Sequence, residues 1–131
     1  MLARNGGGMK LSRAEFEQVV AEALDDLPEE IAEMLTNISV VVEQWPSAEI
    51  LKQMNLPSRS SLLGLYEGIP LTCRDTSYSG VLPDRVTIFQ GPIEKVGRTR
   101  TQIRDEIKSV VVHEIAHHFG IDDERIRELG Y

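Results

Sequence analysis

From about Thr101 to Phe119 the chain keeps helical register with neither proline nor glycine to interrupt it, and Gly120 stands where a helix stop is expected. On a wheel advancing about 100° per residue, Val112, Ile115, Ala116 and Phe119 gather on one arc, while Ile103, Ile107 and Val110 lie on the other side. Such a helix is expected to be buried nearly all round. One turn breaks the pattern. With His113 as zero, His117 falls near 40° and Glu114 near 100°, so two imidazoles and a carboxylate share one arc. In a chain of 131 residues, a buried helix of this length sets the architecture, because the other elements must pack around it.

Those elements are legible in outline. Ser12 and Glu15 form a capping box, followed by Phe16, Val19, Val20, Ala23, Leu24 and Leu27 at helical spacing. Pro28 suits the first position of a shorter helix carrying Ile31, Met34 and Leu35. The β-branched run Ile38–Val42 reads as a buried strand, and residues 44–60 read as loop around Trp45, a core anchor. Residues 62–66, 69–72 and 86–89 are further strand candidates, the last stopped by Gly91-Pro92. The fold class is α+β: a small mixed or antiparallel sheet packed on N-terminal helices and the long helix. Residues 1–10 are expected to form a disordered leader, with Met9 an alternative start, and residues 11–131 a single domain.

Composition narrows the partners. The net charge is −7, which argues against nucleic acid and anionic membrane surfaces. The local basic stretch Lys95, Arg98, Arg100 and Arg104 reads as a solvated approach to the long helix, and the acidic residues of the first third as a solvated face. No apolar run has the length of a membrane span. A lone cysteine, Cys73, forms no internal disulfide, so a cytoplasmic setting is the simplest expectation.

The polar turn carries chemistry. Histidines at i and i+4 point the same way and can converge on one ion at about 2.0–2.1 Å. A glutamate directly after the first histidine lies beside that ion, where it can take a proton from water. A chance H-E-x-x-H arises in roughly one chain in several hundred, and the helical setting sharpens the signal further.

His113-Glu114-Ile115-Ala116-His117-His118-Phe119-Gly120-Ile121-Asp122-Asp123 fits H-E-x-x-H-x-x-G-x-x-D. It resembles zincin metallopeptidases of the metzincin type, with aspartate replacing the usual third histidine. The stretches Gly64–Leu71 and Leu82–Ile88 resemble small bacterial minimal zincins, and the resemblance extends from about Leu11 to Tyr131. It implies a compact α+β zincin core, a zinc ion and peptide hydrolysis. The chain departs from full metzincins in having no methionine after Met54, where they carry a methionine turn.

A catalytic zinc needs a third protein ligand. Asp123 is the expected one, since Gly120 can reverse the chain and bring it back. The competing reading makes Asp122-Asp123 the cap of a short final helix. His118, Glu124 and Glu128 are weaker candidates, and Cys73 would give a Cys-His-His site resembling peptide deformylase, whose other motifs are absent. The expected reaction is amide hydrolysis of a peptide or protein laid along a sheet edge, with Glu114 as general base and Tyr66, Tyr131 or Arg127 as oxyanion partner. The alternative is a non-catalytic zinc-containing interaction module.

Overall fold

The computed structural model describes residues 9–68 and 84–131. Helix α1 (Arg13–Asp25) starts at the expected capping box: Ser12 Oγ accepts from the Glu15 N–H at 3.1 Å, and Glu15 Oε1 accepts from the Ser12 N–H at 3.0 Å. Its Phe16, Val19, Val20 and Ala23 are buried where α1 packs along the long helix. Helix α2 (Glu29–Met34) follows Pro28 and buries Ile31, and a 3₁₀ turn at Leu35–Asn37 leads into strand β1 (Ile38–Glu43).

The chain then crosses from β1 to the far side of the sheet. This stretch, read from sequence as loop, contains helix α3 (Ala48–Gln53), with Ser47 Oγ accepting from the Ile50 N–H at 3.1 Å. Six residues are too few for a periodic signal, so only the cap could have announced it. Trp45 is half-buried, with the Arg59 guanidinium 4.0 Å from the ring centroid.

Strand β2 (Gly64–Glu67) runs antiparallel to β3 (Asp84–Phe89), and β1 runs parallel to β3 on its other side. The sheet is therefore mixed, in the order β1-β3-β2. Its central strand buries Val86, Thr87, Ile88 and Phe89. The expectation of a buried β1 needs correction: of its six residues only Val42 is buried, because this β-branched run lies at an edge. The strand candidate at 69–72 and Cys73 lie outside the described residues.

Gly91-Pro92 does not stop the chain but opens helix α4 (Gln90–Val96). A proline in the first turn is tolerated because the first four N–H groups of a helix have no intrahelical partner. Gly91 sends its N–H to Gln44 O at 2.8 Å. The first described residues join the fold through two backbone N–H groups. The Met9 N–H donates to Gly97 O at 3.0 Å, and the Leu11 N–H donates to Glu94 Oε2 at 2.7 Å.

Helix α5 (Arg100–His118) begins with Thr99 Oγ1 accepting from the Gln102 N–H at 3.1 Å. Ile103, Ile107, Val111, Val112, Ile115 and Ala116 are fully buried, whereas Thr101, Gln102 and Asp105 near its start are exposed. Helix α6 (Asp123–Glu128) closes the described chain and buries Ile126 against the same core. The acidic face of the first third is tied to α5 by ion pairs, Glu22 to Arg100 at 2.6 Å and Asp26 to Lys108 at 2.7 Å. Among the described residues no helix is long and apolar enough to cross a membrane.

Candidate functional site

The H-E-x-x-H turn occupies the last part of α5. Val112, Ile115 and Ala116 anchor it in the core, while His113 and Glu114 are half-buried and His117 is exposed. Phe119, expected on the core arc, is 49% exposed. The helix has ended by then, with Phe119 as C-cap at φ −91°, ψ 7°, so the wheel no longer describes it. It meets Tyr66 edge-on instead, with centroids 6.5 Å apart. His118, a weaker ligand candidate from sequence, is exposed and stacks on the Tyr66 ring at 3.8 Å and 19°.

Tyr66 brings the sheet to the motif. Leu63 O accepts from the Phe89 N–H at 3.0 Å, so by antiparallel alternation Gly64 and Tyr66 direct their N–H groups away from β3. The Tyr66 N–H donates to Glu114 Oε1 at 2.9 Å. This fixes one carboxylate oxygen and leaves Oε2 without a hydrogen bond among the described residues. The helix can approach this closely because Gly64 has no side chain: a Cβ there would stand 2.4 Å from Val110 Cγ1 and 3.1 Å from Thr87 O.

The Tyr66 side chain is clamped at both ends. Its ring lies on His118, and its hydroxyl donates to Asp84 Oδ2 at 2.6 Å. Burial pushes the phenol well above the usual tyrosine range, and the hydrogen bond to Asp84 and that residue's negative charge add to the effect. The hydroxyl therefore stays protonated throughout the neutral range. Of the three oxyanion candidates, Tyr66 is the one in contact with Glu114. Arg127 is exposed on α6, and Tyr131 packs against the core.

The histidine pair suits a shared ion. The His113 and His117 ring centroids are 5.8 Å apart with planes inclined at 61°. Two imidazoles bound to one tetrahedral ion at about 2.0–2.1 Å place their centroids roughly 5 Å apart, close to this spacing. Imidazole nitrogens beside a carboxylate are also the donor chemistry that zinc prefers. Among the described residues, however, no three His, Cys, Asp or Glu side chains converge as an ion-holding group.

The chain after α5 shows where the expected third ligand sits. Gly120 adopts φ +74°, the Ile121 N–H donates to Ala116 O at 2.8 Å and the Gly120 N–H to His117 O at 3.4 Å. This is the Schellman reversal expected of a glycine in that position. Asp122 then caps α6, its Oδ1 accepting from the Arg125 N–H at 2.9 Å. Asp123 is the first residue of α6, exposed, and makes no hydrogen bond or ion pair among the described residues. One aspartate is thus committed to the cap and the other is free to turn.

Sequence reasoning did not identify the backbone N–H of Tyr66 as the group that orients Glu114, nor Asp84 and His118 as the clamp on its ring. Gly64 was the available signal, a residue without a side chain at the start of a strand beside a long helix.

The chain matches the family of zincin-like metallopeptidases over residues 35–131, a span that takes in the whole sheet, α5 and α6. No curated protein matches it. With that match covering well over half of its length, the chain belongs to the zincin-like metallopeptidase family.

Proposed function

We propose that this member of the zincin-like metallopeptidase family hydrolyses peptide bonds, with zinc held by His113, His117 and Asp123 and with Glu114 as general base. The observation that supports the reading is the Tyr66 N–H bond to Glu114 Oε1, which holds one carboxylate oxygen and leaves the other unengaged on the residue that follows His113. A zinc ion at these residues supplies Lewis acidity, lowering the pKa of water towards about 7 and polarising a carbonyl. Asp123 completes the ligand set by turning its unengaged side chain.

Glu114 accepts the proton of the attacking water at Oε2 and passes it to the leaving amine nitrogen. The Tyr66 N–H holds the carboxylate in place through both transfers. The substrate is an extended peptide or protein segment passing the β2 side of the site, in a cytoplasmic setting, and neither nucleic acid nor membrane takes part.

The test is Glu114→Gln. Glutamine can still accept from the Tyr66 N–H, so zinc content and folding stay unchanged while turnover falls by about 10²–10⁴. Undiminished turnover with normal zinc content contradicts the mechanism. The dispersed position of Asp123 favours one second reading, a non-catalytic zinc-containing module that binds a protein partner. A fourth protein ligand in a zinc-loaded structure supports that alternative.

A further inference from the structure

A cavity of about 310 Å³ extends from His113 and Glu114 towards the start of α5. Leu62, Leu63 and Val110 form its apolar wall, and Glu106 and Ser109 its polar one. Glu106 is half-buried and makes no hydrogen bond or ion pair among the described residues. The cations nearest in sequence face another side of the helix. Positions 104 and 108 lie about 200° round the helix from 106, and Lys108 is committed to Asp26 at 2.7 Å. A half-buried carboxylate beside an open, partly apolar groove favours a long aliphatic stem ending in a cation.

We infer, on the premise that the site cleaves peptides, that this cavity selects a lysine or arginine side chain of the substrate through Glu106. Glu106 stands about 12 Å along the helix from Glu114. An extended peptide advances about 3.3 Å per residue, and a lysine or arginine stem reaches about 6 Å beyond its Cα. The selected residue is therefore about two positions from the scissile bond. Its methylenes lie along Leu62, Leu63 and Val110, and its head group reaches Glu106, with Ser109 as a second acceptor.

Binding measurements separate this specificity from catalysis. Fluorescence anisotropy of Glu114→Gln protein, loaded with zinc, is read against labelled octapeptide mixtures in which each position in turn is lysine, norleucine or glutamate. At one position, lysine is expected to bind about fivefold more tightly than norleucine, and glutamate more weakly than either. Adding Glu106→Gln removes the lysine preference and leaves norleucine affinity unchanged. Equal affinity for lysine and norleucine at every position, including no binding by either, overturns the inference, as does a preference that survives Glu106→Gln. A lysine-selective protein whose wild type cleaves none of these peptides upholds the pocket and contradicts the hydrolytic reading. Cleavage without selectivity does the reverse.

Discussion

The two strands that flank β3 are built on opposite terms. β1, Ile38–Glu43, is the more strand-like in composition, yet it buries only Val42. β2, Gly64–Glu67, is shorter and starts with glycine, but it meets α5 and sends a backbone N–H into the motif. The first strand contributes to the sheet through propensity. The second contributes through what it leaves out, a Cβ at Gly64, and through the direction of one N–H. Local preference thus gives little guide to which edge meets the H-E-x-x-H helix.

The contrast breaks most readily at Gly64. Gly64→Val forces a side chain into Val110 and is expected to destabilise the fold by about 1–3 kcal/mol. It should also lower activity at least about tenfold, since Tyr66 and Glu114 separate. Ser39→Thr on β1 should stay within about 0.5 kcal/mol of wild type and leave activity unchanged. Urea denaturation beside a peptide-cleavage assay compares the pair, and equal effects on the two strands abolish the distinction.

A smaller effect is expected where α5 turns into α6. Gly120→Ala puts a Cβ on a backbone with φ +74° and should cost about 1 kcal/mol, although nothing crowds the added atom. If Asp123 is a ligand, zinc affinity falls along with stability. A change in stability alone confines Gly120 to ending the helix.

Tyr66→Phe keeps the ring on His118 and the backbone N–H on Glu114, losing only the bond to Asp84. About 1 kcal/mol of stability should go, with zinc content intact. The pH dependence has a definite sign. Folding raises the phenol's pKa above its ordinary value of about 10, so its contribution is complete below pH 10 and is lost as pH climbs towards the folded value. Thermal midpoints recorded from pH 8 upwards should fall more steeply above pH 10 for wild type than for Tyr66→Phe. Parallel curves contradict the clamp.

The long helix, the α1 cap and the central strand were readable because each rests on a local rule. Buried residues recur at 3.6-residue spacing, Ser12 precedes Glu15 by three, and Val86–Phe89 is a β-branched and aromatic run. The failures have equally local causes. α3 is too short to show periodicity, and α4 carries in its first turn a Gly-Pro pair that otherwise signals a stop. The wheel places Phe119 on the core arc only by running one residue past the helix end. In the site, His113, Glu114 and His117 announced themselves by spacing. The hold on Glu114 did not, because it comes from a backbone group 48 residues away and depends on which side of β2 that group faces. Local periodicity carries no information about such a contact.

The central claim is that the His113–His117 face is a zinc site, and elemental analysis of purified protein tests it most directly. One zinc per chain is expected in wild type, lost in His113→Ala and His117→Ala and strongly reduced in Asp123→Ala, with each variant still folded. Wild-type protein that takes up no zinc, even after incubation with the metal, would contradict the account.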